Sequence, residues 1–167
     1  ALAELGLTVG RAVLPMLASS APTVAEGVAK AAGGAAGAVA LDTKLDGIRV
    51  QVHRRGEDVS VNTRSLDDIT ARLPEVVEYV RALPLTSVVL DGEALALDEL
   101  GRPRAFQETA SRTAQSTGVT VTPFFFDILH LDGVDLLDRA LHERLAVLDA
   151  LIPEDNRVSR LITADLD

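Results

Sequence analysis

Lys44 opens the hexapeptide Lys44-Leu45-Asp46-Gly47-Ile48-Arg49 and is one of only two lysines in 167 residues; Lys30 is the other, and the remaining side-chain cations are arginines. An amine can lose its proton and attack an electrophile, whereas a guanidinium effectively cannot. Lysine amines form covalent intermediates once burial or neighbouring cations lower their pKa. Asp46-Gly47 predicts a tight turn beside the amine, and Arg49 places a fixed positive charge on the strand that follows. An amine, a turn and an arginine within six residues suit attack on a phosphate. A solvated surface lysine is the commonest fate of this residue type, but its scarcity here favours a chemical role.

These residues need elements to position them. Residues 1–20 read as an irregular apolar segment ending Pro15-Met16-Leu17-Ala18. Ser19, Ser20 and Pro22 mark a turn, and Thr23 caps a short helix over Val24–Ala32. Gly33-Gly34-Ala35-Ala36-Gly37 lacks the lysine-serine/threonine ending of a phosphate-cradling loop and reads as a connector, closing an opening segment of residues 1–37. Ala38–Thr43 is a short apolar strand. Ile48, Val50 and Val52 alternate with Arg49, Gln51 and His53, which predicts a strand with one buried face. Gly56-Glu57-Asp58 turns the chain into a strand over Val59–Thr63. Ser65 with Asp68 three residues on predicts a helix start, followed at helical spacing by Ile69, Leu73, Val76, Val77 and Val80, with an end near Pro84.

Ser87–Leu90 then reads as a strand, Asp91-Gly92 as a turn and Glu93–Leu97 as the returning strand. Residues 105–114 form a helix, and Val119–Leu131 a long β-type run interrupted by Pro123. Leu137–Leu151 is an amphipathic helix with Leu141, Leu145 and Leu148 on one face. Leu-Asp-Gly occurs at 45–47, 90–92 and 131–133, which predicts three hairpin turns. The expected class is α+β, antiparallel hairpins packed by helices.

Composition narrows the function. Hydrophobic residues make up 47% of the chain, which excludes disorder throughout. The absence of cysteine excludes disulfides and thiolate metal sites. No apolar run spans a bilayer, so the expectation is a cytoplasmic protein with no membrane partner. A formal net charge of −9 argues against strong, general nucleic-acid binding by this segment alone. His53, His130 and His142 do not cluster at ligand spacing. Asp135, Asp138 and Glu143 read as a solvated helix entrance.

The hexapeptide at Lys44 resembles the K-x-D-G-x-R signature of ATP-dependent DNA ligases, which RNA ligases and mRNA capping enzymes share. Further resemblances follow in order. Thr63-Arg64-Ser65 is similar to the short arginine motif after the nucleophile, and Leu90-Asp91-Gly92-Glu93-Ala94 to the D-G-E motif. Phe125-Phe126-Asp127-Ile128-Leu129 is similar to the aromatic-acid motif, and Leu131-Asp132-Gly133 to its continuation in DNA ligases. Pro15-Met16-Leu17-Ala18 resembles the segment that opens the ligase adenylation domain. The resemblance spans roughly residues 12–151.

The resemblance implies a DNA ligase/capping enzyme-like adenylation fold and a role for each matching residue. Lys44 attacks the α-phosphorus of ATP, expels pyrophosphate and holds AMP through a P–N bond. Arg49 and Arg64 contact ribose or phosphate oxygens. Glu93 binds the ribose hydroxyls or helps hold Mg2+, and Phe126 stacks on adenine. Asp42, two residues before the lysine, lies near the adenine amino group, where much of the contact comes from backbone groups. AMP then passes to the 5′-phosphate of nicked duplex DNA, and the 3′-hydroxyl displaces it. The other readings are an RNA ligase or capping-type nucleotidyltransferase, and a non-catalytic nucleotide-binding module. No lysine follows Lys44, so the family's later lysine motif has no counterpart. Residues 1–167 are therefore expected to be part of an adenylation domain, without DNA-binding or OB domains, that adenylylates weakly and does not seal nicks alone.

Overall fold

The structure is a computed structural model that describes residues 6–33, 37–114 and 119–164. In chain order its helices and strands are α1 (Val24–Ala32), β1 (Val39–Asp42), β2 (Ile48–Arg55), β3 (Asp58–Thr63), α2 (Pro74–Arg81), β4 (Ser87–Ala96), α3 (Phe106–Ala114), β5 (Val121–Leu131), β6 (Val134–Asp135), α4 (Leu141–Leu151) and β7 (Arg160–Thr163). They fall into two units, one of Ala1–Leu14 with Leu45–Arg157 and one of Pro15–Lys44 with Val158–Asp167. The class is α+β, and every strand pair is antiparallel.

The larger unit carries a five-stranded sheet in the order β3-β2-β4-β5-β6. Ile48, Val50 and Val52 of β2, Leu90 and Ala94 of β4, and Phe125 and Ile128 of β5 share one core with Val76, Val77 and Val80 of α2 and Leu145 and Leu148 of α4. Of the adjacent phenylalanines, Phe125 is fully buried while Phe124 and Phe126 are half-buried, as strand alternation requires. β5 continues through Pro123 because β6 pairs only with His130 and Leu131 and leaves the side of Pro123 away from β4 outside the ladder. The Pro123 carbonyl accepts from Asn156 Nδ2 at 3.1 Å, away from β4, so its missing N–H removes no ladder bond.

The second face of β2 differs from expectation. Gln51 and His53 are buried, because residues 10–13 run across them. Gly10 N–H donates to His53 Nδ1 at 3.1 Å, Val13 N–H donates to Gln51 Oε1 at 2.9 Å, and Gln51 Nε2 returns a bond to the Val13 carbonyl at 3.2 Å. With Nδ1 accepting, His53 carries its proton on Nε2 and donates it to Gln51 Oε1 at 2.9 Å. Arg54, on the core face, donates Nη1 to the Val80 and Leu83 carbonyls, both at 2.8 Å, so its charge meets the negative end of α2.

Burial, with a smaller contribution from His130, lowers the His53 pKa from 6.5 to about 4. A lowered folded pKa means that the unfolded chain takes up the proton first as pH falls. The contribution to stability is therefore full above about pH 6.5, is lost through the window down to about 4, and is constant below it. A loss on the order of 3 kcal/mol is expected across that window. Urea unfolding between pH 7 and 4 should show a steeper loss in the wild type than in His53→Gln; parallel curves would refute the assignment.

Only one Leu-Asp-Gly is a hairpin turn. Asp132 at φ 44° and Gly133 at φ 85° form the two-residue turn between β5 and β6. The Asp132 carboxylate ties this turn to Thr86 N–H at 2.7 Å and Ser87 N–H at 2.9 Å. Asp91-Gly92 lies inside the continuous strand β4, contrary to the predicted turn. A Cβ on Gly92 would stand 2.7 Å from the Phe124 carbonyl oxygen and 2.8 Å from Phe125 Cδ1, so this glycine serves close strand packing. Asp46-Gly47 is a bend leading into β2, not a hairpin.

The expected helix start at Ser65 is also corrected. Ser65 Oγ bonds the Asp67 carboxylate, and the Asp68 carboxylate accepts from Thr70 N–H at 2.9 Å and Thr70 Oγ1 at 2.6 Å. These local bonds compete with helix formation, and Leu66 sits at φ 71°. A 3-10 turn over Thr70–Arg72 follows, and α2 begins only at Pro74, whose ring suits a first helical turn. The five apolar residues from Ile69 to Val80 are nonetheless all buried. Helix α4 starts at Leu141 rather than Leu137, because Glu143 Oε2 accepts from Ala140 N–H at 3.0 Å and caps it there. Leu141 is left exposed.

The smaller unit contains α1 and the pair β1–β7. Thr23 Oγ1 accepts from Glu26 N–H at 3.2 Å to start α1, and Gly33 at φ 61° ends it, as expected. Part of the predicted connector, residues 34–36, lies outside the described residues.

Candidate active site

Strand pairing in the larger unit collects charged residues on the sheet face opposite the core. Arg49 lies opposite Glu93, and Gln51 opposite Asp91. Between β4 and β5 the register shifts: Gly92 faces Phe125 and Asp91 faces Asp127, with Phe126 in the bulge between them. This bulge puts both Phe126 and Asp127 between the core residues Phe125 and Ile128.

Arg49 makes a bidentate pair with Asp91, Nε to Oδ1 at 3.1 Å and Nη2 to Oδ2 at 2.8 Å. Its Cζ stands 5.4 Å from the Phe126 ring centroid, a cation–π distance. The Asp91 bond raises the Arg49 pKa, so that guanidinium is a permanent charge. Burial pushes the Asp91 carboxyl up and the Arg49 bond opposes it. Arg144 of α4 holds Asp127 in the same bidentate way, at 2.8 and 2.9 Å. Glu93, half-buried, accepts from Gly47 N–H through Oε1 at 3.0 Å, which ties the Asp-Gly-Glu segment to the Lys44 hexapeptide. A carboxylate here has the hard oxygen chemistry of a Mg2+ ligand, and such ions commonly take one or two protein carboxylates with the remainder from phosphates and water.

Of the sequence-predicted residues, Arg49, Glu93 and Phe126 thus share one face. Arg64 is exposed, one residue beyond the rung Val50–Thr63, at the end of β2 that carries Arg49. Asp42 and Lys44 belong to the smaller unit. There Asp42 faces Arg160 across β1–β7 and receives Nε on Oδ1 at 2.5 Å and Nη2 on Oδ2 at 2.8 Å. Thr43 N–H donates to the Ser159 carbonyl at 2.9 Å, and Lys44 follows, exposed.

Asp91, Asp127 and Arg144 went unremarked as site residues in the sequence. Reading 87–96 as one strand was the available signal, since Asp91 and Glu93, two apart, then share a face. A third constellation lies at the β5–β6 hairpin: His130 Nδ1 bonds Asp135 Oδ1 at 2.7 Å, and its Nε2 faces Ser87 Oγ at 3.1 Å. Its order is that of a nucleophilic triad, but the adjacent Thr86 and Ser87 N–H groups are spent on Asp132, and Gly133 N–H also occupies Nε2 at 3.2 Å. It closes the hairpin. Asp135 is accordingly a strand residue, not part of a helix entrance.

Comparison with known proteins adds to this geometry. The family described as "ATP dependent DNA ligase domain" matches residues 15–165. The chain is 68% identical to a "Probable DNA ligase" of Nocardioides sp. over 166 residues, covering 99% of this chain and 32% of that protein. It is 65% identical to a "Probable DNA ligase" of Kineococcus radiotolerans, covering 98% and 32%. The chain thus spans about a third of the length of these curated relatives. The ligase domain of M. tuberculosis LigD matches with a TM-score of 0.56 and 29% identity, over 73% of this chain and 43% of that one. A mycobacterial DNA ligase D complexed with ATP and MES matches with a TM-score of 0.53 and 29% identity, over 70% and 37%.

Proposed function

Since this chain belongs to the family of ATP-dependent DNA ligase domains, we propose that it carries the adenylation centre of an enzyme that seals nicks in duplex DNA. The observation that carries this reading is the bond from Gly47 N–H to Glu93 Oε1 at 3.0 Å, which brings the Asp-Gly-Glu segment to the Lys44 motif.

In the proposed first step the neutral Lys44 amine attacks the α-phosphorus of ATP. A P–N bond forms, the bond from the α-phosphorus to the bridging oxygen breaks, pyrophosphate leaves, and the amine surrenders a proton to solvent. Phe126 stacks on adenine, and Arg49, held by Asp91, stands next to that ring. Arg49 and Arg64 meet ribose or phosphate oxygens, and Glu93 meets the ribose hydroxyls or Mg2+. Asp42 lies toward adenine, where backbone groups supply the contact. Bound Mg2+ would neutralise phosphate charge. AMP is then transferred to the 5′-phosphate of the nick and displaced by the 3′-hydroxyl. The relatives' names favour DNA over RNA as substrate. No helix among the described residues is long and apolar enough to cross a membrane.

The test is incubation of the full-length protein with ATP labelled at the α-phosphate and Mg2+. A covalent label should survive denaturing electrophoresis, be lost in acid, map to the Lys44 peptide and be discharged by nicked DNA rather than nicked RNA. Absence of label, or label elsewhere, would overturn the proposal.

A further inference from the structure

The strand that leads to Lys44 is held on one side by β7. The rungs run Val39–Thr163, Ala40–Ile162, Leu41–Leu161 and Asp42–Arg160. The Thr43 N–H bond to the Ser159 carbonyl, at 2.9 Å, extends the ladder to the residue before Lys44. The rung nearest the amine is therefore the one closed by a side-chain pair. In that pair Arg160 Nε and Nη2 meet the two Asp42 oxygens, at 2.5 and 2.8 Å, and the Arg160 side chain is only 13% exposed. A bidentate guanidinium–carboxylate bond fixes orientation as well as distance, which a lysine ammonium does not do.

We propose that Arg160 is a positioning residue for the Lys44 amine, acting through the carboxylate of Asp42. The inference rests on the adenylation role proposed above for Lys44. It assigns the Asp42 carboxylate to the protein's own strand pairing and leaves adenine to backbone groups. The physical reason is geometric. Attack on phosphorus requires the amine in line with the leaving oxygen, and small displacements of a nucleophile cost large rate factors. Lys44 lies two residues beyond the Asp42–Arg160 rung, so twist or slip of that rung moves its Cα directly.

Single-turnover formation of enzyme–AMP, measured across ATP concentrations in the full-length protein, separates positioning from binding. Arg160→Ala and Asp42→Asn should lower the rate at saturating ATP by roughly 10–100-fold, with half-saturation changed by less than about twofold. Arg160→Lys, which keeps the charge but loses the fork, should fall in between. The exchanged pair Asp42→Arg with Arg160→Asp should recover part of the lost rate. Thermal unfolding of each variant reports whether it folds, and the conservative Arg160→Lys keeps the test open if Arg160→Ala does not. An unchanged saturating rate in the Arg160 variants would overturn the inference. So would an effect confined to half-saturation, which would place Asp42 on the nucleotide. Failure of the underlying reading looks different: the wild type itself would then form no label on Lys44, and both proposals would fall together.

Discussion

Lys44→Arg in the full-length protein is expected to lower enzyme–AMP formation by at least about 10³-fold, with an unfolding temperature close to that of the wild type. The substitution keeps the positive charge, so electrostatic attraction of the ATP phosphates survives. What it removes is a side chain able to shed its proton and form a releasable P–N bond, because a guanidinium stays protonated. Lys44 is exposed, and exposed substitutions away from special backbone features usually change stability by about 0.5 kcal/mol or less. Activity and stability should therefore separate cleanly, as read by labelling and by calorimetry on the same preparation. Label persisting near the wild-type level would place the covalent nucleophile on another residue and overturn the assignment to Lys44.

Gly47→Ala should be nearly as damaging, for a steric reason. Gly47 is not among the residues with positive φ. An added Cβ would instead collide with the carbonyl oxygen of Ala94 and stand 2.6 Å from Leu95 Cδ2. Ala94 is a rung of the β2–β4 ladder, opposite Ile48, so the obstructing oxygen cannot swing aside like a side-chain tip. The start of β2 must lift away from β4, which lengthens the Gly47–Glu93 bond and displaces the segment that follows Lys44. Overpacking of this kind costs about 3 kcal/mol, and the displacement should cost adenylylation about 10²-fold. Gly133→Ala is the internal comparison. That position has φ 85° and nothing within 4 Å of an added Cβ, so it should cost only about 1 kcal/mol and leave adenylylation intact. A Gly47→Ala protein with wild-type stability and rate would show that the close approach constrains nothing.

The two glycines illustrate how differently one tripeptide can be used. Leu-Asp-Gly at 131–133 is a turn because both Asp132 and Gly133 take left-handed angles. At 90–92 and 45–47 the glycine admits a neighbouring strand instead. Composition cannot separate these uses, because the second depends on what lies across the sheet. The same limit hid the burial of Gln51 and His53. Their alternation with Ile48, Val50 and Val52 matches a solvated face, and only residues 10–13, about 40 positions away in sequence, bring the donors and acceptors that make polar burial tolerable.

By itself the sequence determined what is local or chemical. Thr23 and Gly33 bound α1 because a cap and a left-handed stop act within one turn. Apolar periodicity marked the buried residues of β2 and α2, and resemblance to a family's motifs marked Lys44, Arg49, Glu93 and Phe126 as candidates. The tertiary structure alone decided the partners. A one-residue bulge turns Phe126 and Asp127 to the same face, Asp91 becomes the clamp on Arg49, and Arg160 meets Asp42 from 118 residues away. These contacts depend on register between distant strands. A shift of one residue reverses every side chain, and nothing within either strand's own sequence states which residue will stand opposite.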